Sequence, residues 1–139
     1  MADDNDDSII IRRVEDTEPD TRGQFEKRVF FSPGKGSDFV RFTMYRAKPG
    51  QSSDLHVNPG DDCTYVLQGH IRLEADGKVW DVHTGDAFII RRGIAHKATL
   101  MGEEELILIT AHCEFCSLFQ EWDAKQPVPQ GQFRVLGPA

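Results

Sequence analysis

The chain has 139 residues, of which 39% are hydrophobic, and a formal net charge of −7 at pH 7. This length corresponds to one domain that can bury a single core of its own. The negative charge argues against nucleic acid or an anionic membrane as a general partner, because phosphate binding requires a basic surface.

No apolar run approaches the roughly 20 residues that a membrane-spanning helix requires, so we expect no membrane partner. The acidic first residues, 1–7, have the wrong charge for a signal peptide, and no apolar core follows them. Three cysteines, an odd number, fit reduced thiols rather than a disulfide framework. These features together predict a cytoplasmic protein.

The N-terminal part of the chain alternates between polar segments and β-branched or aromatic runs. Residues 1–8 are acidic and lack apolar anchors, which predicts a disordered tail before a single domain at 9–123. The three isoleucines at 9–11 predict a first strand, and the aromatic run at 25–31 predicts a second. A turn is predicted at 32–37, where proline and glycine both occur.

A series of short apolar runs separated by turn signals follows. The runs predict strands at 39–47, 63–67, 71–73, 79–82, 87–90, 97–100 and 106–111. The pair Asp76-Gly77 between two of these runs is a strong hairpin signal. Many short strands at regular spacing, with no helical pattern between them, predict an all-β sandwich or barrel.

The first of these strands has two chemically different faces. Val40, Phe42 and Met44 fall on one face, whereas Arg41 and Tyr45 fall on the other. We expect the apolar face to point into the core and Arg41 to point outward, because charged side chains are rarely buried. In the alternative arrangement, Arg41 and Tyr45 line the interior and bind a substrate carboxylate or phenol.

The pattern changes only after the last predicted strand. Four apolar residues then recur at helical spacing, and they are Phe115, Leu118, Phe119 and Trp122. This stripe predicts a short C-terminal helix that packs against the outside of the barrel. Residues 124–139 contain three prolines and two glycines, which predicts an extended tail.

Two stretches, 50–69 and 85–96, place a histidine beside short apolar runs and glycines. His56 and Asn58 are two residues apart, so on a strand both side chains point to the same face. Asp62 follows four residues later, and His96 comes from the second stretch. Two imidazoles, a carboxylate and an amide that converge inside a small barrel predict a metal site.

These spacings resemble the two sequence motifs of the cupin family. On the first motif fall Gly50, His56, Asn58, Asp62 and Gly69, with Asn58 where histidine is usual and Asp62 where glutamate is usual. On the second motif fall Gly85, Gly93 and His96, with Arg91 where proline is usual and Leu100 where asparagine is usual. The resemblance covers roughly residues 38–112.

The resemblance implies an all-β fold, a cupin-type double-stranded β-helix or jelly-roll barrel of the small, RmlC-like kind. It also implies a homodimer, because small cupins often lend an N-terminal strand to a partner subunit. The implied activities on a small oxygenated or carboxylated molecule are those of a dioxygenase, a lyase, an isomerase or a polyketide-type cyclase. Two alternatives stay open: a metal-free epimerase that uses a histidine base, and a non-catalytic cupin that binds a small ligand.

The expected catalytic residues, His56, Asp62 and His96, form a set of two histidines and one carboxylate. Such a set suits Fe(II) with open positions for substrate and dioxygen, and it also suits Zn²⁺ as a Lewis acid. Nickel and manganese are further options for the one divalent ion. Asn58 completes the predicted ligands through its carbonyl oxygen, or instead hydrogen-bonds a bound water or substrate. Asp61 is the alternative carboxylate ligand.

Substrate-binding residues are predicted from strand parity. Those that share a face with Asp62 or His96, or that line the cavity in the alternative arrangement, are Thr64, Val66, Ala98, Tyr45 and Arg41. His112 shares parity with Leu106, Leu108 and Thr110 and adds an imidazole near the mouth of the barrel if that face lines the cavity. A pocket of small and apolar side chains around a few polar groups fits a small organic substrate.

The remaining histidines and cysteines are expected to be solvated or structural. His70 and His83 lie near turn glycines and are expected to be solvated. The lone pair Cys113 and Cys116 is taken as structural, because a zinc knuckle needs a second Cys-x-x-Cys pair. Cys63 follows Asp62 and is expected to point away from it, toward an outer or dimer face.

Overall fold

The computed structural model of the chain describes residues 8–58 and 60–113. Within these ranges it contains a single 3₁₀ turn, Val14–Asp16, and nine strands. In chain order the strands are β1 (Glu26–Pro33), β2 (Gly36–Ser37), β3 (Val40–Ala47), β4 (Asp62–Gln68), β5 (His70–Ala75), β6 (Lys78–His83), β7 (Ala87–Ile90), β8 (His96–Met101) and β9 (Leu106–Cys113). The predicted C-terminal helix, the extended tail at 124–139 and most of the predicted N-terminal tail lie outside the described residues.

The strands form two sheets, which confirms the predicted all-β double-stranded β-helix. One sheet has six strands in the order β2-β1-β3-β9-β4-β7, and the other has three in the order β6-β5-β8. Except for the parallel contact between β1 and β2, all strand pairs are antiparallel. No helix in the part of the chain that the structure describes is long and apolar enough to cross a membrane.

The hairpin between β5 and β6 turns at the predicted pair. Asp76 and Gly77 both have positive φ, 55° and 72°, and they connect the paired residues Ala75 and Lys78. Two successive positive φ values are typical of the tight turn whose twist matches that of the flanking strands. Asparagine, aspartate and glycine are the residues that tolerate this conformation best.

Gly69, the last residue of the stretch 50–69, is required by close packing as well as by backbone conformation. Its φ is 112°, and a Cβ atom there would lie 3.1 Å from the Cα atom of Leu106. Because that neighbour is backbone, the contact cannot be relieved by a side-chain rotation. Glycine at this position therefore lets β4 turn into β5 directly against the start of β9.

The prediction of a strand at 9–11 is wrong for this chain on its own. These residues form no strand in the structure, and the side chains of Ile9 and Ile11 are 82% and 73% exposed. A strand needs a neighbour for its backbone hydrogen bonds, and this segment is held instead through one side chain. The guanidinium of Arg12 donates to the carbonyl oxygens of Phe30 and Lys35 at 2.7 and 2.9 Å.

The inner face of the six-stranded sheet is the face that carries Thr43, not the expected apolar face of β3. Val40 and Phe42 are 47% and 36% exposed, whereas Thr43 is fully buried and Met44 is 5% exposed. The register explains this result. Thr43 pairs with Thr110 of β9, so their side chains lie on the same face of the sheet, and Thr110 is buried between the sheets. The expectation that Val40 and Phe42 point inward is therefore wrong.

The outer face of the same sheet is also apolar. Side-chain polarity alone therefore predicted the wrong face of β3 to point into the core. A shallow groove on this face is lined mainly by Phe42, Cys63, Tyr65, Ala87, Ile89, Ile109 and Ala111. Cys63 is exposed there, on the side of β4 opposite to Thr64 and as its parity predicts. The predicted homodimer remains a prediction.

The hydrophobic core lies between the two sheets, below the polar end of the barrel. Its most deeply buried members are Val66, Ile71 and Leu106, each with no exposed surface. Val66 comes from the large sheet and Ile71 from the small one, so the core that contains both packs the two sheets together. Burial of such side chains contributes about 1.5–3 kcal/mol each to folding.

We expect Val66→Ala to lower the free energy of unfolding by roughly 2 kcal/mol, because it removes buried methyl groups and leaves a cavity. Val79→Ala is the matched control, since Val79 is on a strand and 57% exposed. The control should change stability by less than about 1 kcal/mol. Chemical denaturation followed by circular dichroism measures both values, and equal losses would contradict the assignment of the core.

Candidate functional site

A cavity of about 140 Å³ lies between the two sheets at the polar end of the barrel. It is lined by most of the residues that the sequence singled out, namely Tyr45, His56, Asn58, Asp62, Thr64, His96, Ala98 and His112. Phe25, Ser53, Phe88 and Ile90 complete much of the wall, and no signal in the sequence identified them. The fold therefore brings both predicted motifs to one place.

His56 reaches the cavity from a connection rather than from a strand, contrary to the expected strand geometry of the first motif. The connection docks on β8 through a reciprocal pair of backbone hydrogen bonds between His56 and His96, with N–O distances of 3.0 and 2.9 Å. Ser53 strengthens this attachment, because its backbone N–H donates to Ala98 and its hydroxyl accepts from the same residue. The two imidazole centroids consequently lie 4.2 Å apart.

Both of these imidazoles are held by their own backbone in the same way. The Nδ1 atom of His56 lies 2.7 Å from the carbonyl oxygen of Asp54, and that of His96 lies 2.9 Å from the carbonyl oxygen of Ile94. A carbonyl oxygen can only accept, so in each ring Nδ1 carries the proton. In the neutral rings, Nε2 then keeps a free lone pair, as in histidines that bind metals.

Asp62 begins β4 and places its carboxylate among these imidazoles. Burial raises the pKa of this carboxyl, and the neighbouring His112, His96 and His56 oppose the increase. Asn58 donates from Nδ2 to one carboxylate oxygen at 3.1 Å, and the hydroxyl of Thr64 lies 3.5 Å from the other. The carboxylate is therefore positioned by its neighbours before any ligand binds.

The environment of His96 favours its neutral form. The side chain is only 4% exposed, and burial lowers its pKa below the ordinary 6.5. The carbonyl of Ile94 opposes this decrease, His56 adds to it, and Asp62 opposes it more weakly. A neutral imidazole is the form that accepts a proton or binds a cation.

Tyr45 and the threonines give the cavity its other polar groups. Burial, together with the charge of Asp62, raises the pKa of the Tyr45 phenol, so the phenol keeps its proton and can donate a hydrogen bond. The hydroxyls of Thr64 and Thr110 lie 3.0 Å apart in a buried contact. Thr43 is also buried, and its hydroxyl has no partner among the described residues.

Two predicted positions, Val66 and Arg41, lie elsewhere than expected, and the alternative ligand Asp61 lies outside the cavity. Val66 belongs to the closed core and is not part of the cavity wall. Arg41 pairs in register with His112 on the inner side of β3 but lies beyond the wall of the cavity. Asp61, the alternative metal ligand, accepts a hydrogen bond from the backbone N–H of Arg92 at 2.9 Å, so its carboxylate holds a loop.

The donor types in the cavity fit a divalent cation, although their present rotamers do not converge. Two imidazoles with free Nε2 lone pairs share the cavity with a half-buried carboxylate, a donor set that suits iron, zinc, nickel or manganese. Within residues 8–58 and 60–113, no three histidine, cysteine, aspartate or glutamate side chains stand in position to hold one ion.

The other histidines lie outside the cavity. His70 and His83 face each other across β5 and β6, with stacked rings whose centroids are 4.1 Å apart. Nε2 of His70 lies 3.3 Å from the carboxylate of Asp81 on the outer side of the small sheet. His83 is exposed and provides a control for experiments on the cavity histidines.

Comparisons with known proteins agree with this geometry. The family described as the cupin domain matches residues 43–112, which are 70 of the 139 residues. The match begins in β3 and ends on β9, so it includes every predicted metal ligand. No curated protein matches the chain significantly by sequence.

Solved structures with a similar fold include three from bacteria. The polyketide cyclase RemF from Streptomyces resistomycificus has a TM-score of 0.68 and 20% identity, over 76% of this chain and 79% of that one. A predicted oxalate decarboxylase from Thermotoga maritima has a TM-score of 0.67 and 20% identity, over 75% and 98%. An RmlC-like cupin from Shewanella frigidimarina has a TM-score of 0.64 and 20% identity, over 76% and 91%. At this identity the likeness shows the fold alone.

We expect His96 to make the metal-free protein more stable at neutral than at acidic pH. Because its folded pKa is lowered, the unfolded chain binds a proton below pH 6.5 that the folded chain does not bind. The difference in unfolding free energy between wild type and His96→Gln should therefore be more favourable at about pH 7.5 than at about pH 5. Chemical denaturation in EDTA measures this difference, and a constant or reversed difference would contradict the lowered pKa.

Proposed function

Because the chain belongs to the cupin family, we propose that it is an enzyme that uses one divalent metal ion to act on a small oxygenated or carboxylated molecule. The observation that carries this proposal is the pair of imidazoles, His56 and His96, in one cavity with the half-buried carboxylate of Asp62. Each imidazole has its Nδ1 fixed by a backbone carbonyl, so each keeps Nε2 for a ligand in the cavity.

The proposed ligands are His56, His96 and Asp62, with Fe(II) or zinc as the preferred ion and nickel or manganese as alternatives. A bound ion would supply Lewis acidity, or activation of dioxygen if it is iron. Asn58 is proposed to act through Asp62, since its amide nitrogen donates to that carboxylate.

The other polar groups of the cavity are proposed to bind and orient the substrate. The protonated phenol of Tyr45 donates a hydrogen bond to a substrate oxygen, and the hydroxyls of Thr64 and Thr110 offer further contacts. Phe88 and Ile90 exclude water from one side of the reacting groups.

The size of the site fits a small substrate. The cavity of about 140 Å³ adjoins a larger groove of about 570 Å³, and the two share Leu73, Phe88, Ile90 and His96 as a common wall. Small-molecule sites usually enclose about 300–1,000 Å³. The reacting end of a substrate would thus enter the cavity while its body occupies the groove, against apolar side chains such as Trp80.

Cyclase and decarboxylase chemistry are the first reactions to test. Two proteins of similar fold are described as a polyketide cyclase and a predicted oxalate decarboxylase. Both descriptions involve substrates with several oxygen atoms, which are ligands that divalent metal ions accept. Dioxygenase and isomerase activities remain part of the proposal, because the donor set serves them equally well.

A metal-free mechanism is the second candidate, and one observation favours it. Asp62 and His96 line the same cavity, and burial lowers the pKa of the His96 imidazole, which favours the form that accepts a proton. A nearby carboxylate stabilises an imidazole that has taken up a proton, which suits the general base that an epimerase or isomerase requires. A cupin that binds a small ligand without turnover is the third candidate.

We expect the purified protein to bind one divalent ion and the variants His56→Ala, His96→Ala and Asp62→Ala to lose it. Loss of a residue that only hydrogen-bonds to a ligand weakens metal binding by about 10–100-fold, and loss of a direct ligand should weaken it more. His83→Ala, which removes an exposed imidazole outside the cavity, should bind as the wild type does. Elemental analysis and competitive titration with a zinc indicator measure these changes.

The identity of the ion directs the activity assays. Near-stoichiometric iron would lead to oxygen-consumption measurements, whereas zinc, nickel or manganese would lead to decarboxylase, isomerase and cyclase substrates. Absence of binding after reconstitution with each of the four ions would refute the metal-dependent proposal. Turnover that survives EDTA but disappears in His96→Ala would favour the metal-free mechanism.

A further inference from the structure

His112 lies on β9, outside both sequence motifs, yet the sheet places it beside the carboxylate of the first motif. In the register between β9 and β4, His112 is the direct partner of Asp62. Both side chains line the same cavity as His56 and His96. Directly opposed residues of neighbouring antiparallel strands have Cβ atoms about 4.5–5.5 Å apart, so their functional groups can share one ligand.

One nitrogen of His112 is buried without a hydrogen-bond partner. Its Nδ1 atom is shielded from solvent and has no hydrogen-bond partner among the described residues. Buried polar atoms are nearly always paired, because an unpaired one costs about 1–3 kcal/mol. The imidazoles of His56 and His96 differ from it, since the Nδ1 atom of each is already bound to a backbone carbonyl.

The first motif lacks the second histidine that is usual in cupins. Asn58 occupies that position, and its side-chain nitrogen donates to Asp62 at 3.1 Å. The first motif therefore offers one imidazole, that of His56, to an ion. The cavity nevertheless contains three imidazoles and one carboxylate, because His112 enters from another strand. Three nitrogen donors and one oxygen donor are a common set around a catalytic zinc or related ion.

We propose that His112 is a direct ligand of the divalent ion and supplies the third imidazole in place of Asn58. The ion would thus be held by His56, Asp62, His96 and His112, with Asn58 as a positioning residue that orients the carboxylate. This inference rests on the proposed metal dependence. It adds that β9, which joins the two halves of the large sheet, contributes to the site.

The first test compares Zn²⁺ affinity in wild type, His112→Ala and Asn58→Ala. If His112 binds the ion, His112→Ala should weaken binding by more than about 100-fold, beyond the range of outer-partner effects. Asn58→Ala should weaken it by about 10–100-fold, because only the orientation of Asp62 is lost. His83→Ala is the matched control and should leave the affinity unchanged.

The second test counts the imidazoles directly and does not depend on a variant that folds. Pulsed electron paramagnetic resonance of the Cu²⁺-loaded wild type should show three bound imidazoles, and that of His112→Gln should show two. Circular dichroism and thermal melting in EDTA establish that each variant is folded. Only two imidazoles in the wild type would overturn the proposal, even if the affinity of His112→Ala falls.

The outcomes separate this inference from the proposed function. If wild type binds none of Zn²⁺, Fe²⁺, Ni²⁺, Mn²⁺ and Cu²⁺, the metal-dependent function and the role of His112 both fail. If wild type binds one ion and His112→Ala binds it equally well, only the role of His112 fails. In that case the imidazole returns to the substrate-binding role that its position near the mouth first suggested.

Discussion

The reciprocal pair of backbone hydrogen bonds between His56 and His96 holds the two motifs together at the candidate site. The segment that carries His56 is not a strand, so its position depends on how it attaches to β8. Ser53 attaches it a second time, through two hydrogen bonds to Ala98. Backbone attachment fixes the origins of the two side chains, and a hydrogen bond from Nδ1 to a backbone carbonyl orients each ring.

The electrostatics of the site follow from this attachment. Partial burial makes a carboxylate more costly to ionise, and Asp62 tolerates it because imidazoles and an amide lie nearby. Burial has the complementary effect on His96, which it keeps neutral. None of the described residues that line the cavity with Asp62 is a lysine or an arginine, so its carboxylate can accept a metal cation. Together with His96, the same carboxylate can also take part in moving a proton. Metal-dependent and metal-free mechanisms therefore share one architecture.

The large sheet carries apolar side chains on both faces, and this property limited the prediction of side-chain orientation. Phe42 and Ile89 lie on the outer face, 36% and 51% exposed, while Val66 lies in the core on the inner face. Alternation showed which residues share a face of β3, but not which face is inner. The pairing of Thr43 with Thr110 across the sheet decided that question, because strand register is a property of the folded sheet.

The sequence by itself determined the all-β class, the turn at Asp76 and Gly77, and the family motifs around His56 and His96, because these depend on local periodicity, turn chemistry and spacing along the chain. It also indicated the parity that places Thr64 with Asp62. Only the tertiary structure decided that His112 stands beside Asp62, since fifty residues separate them along the chain and strand register alone brings them together. It likewise decided that Asn58 contacts the carboxylate, because that hydrogen bond depends on the path of the connection before β4.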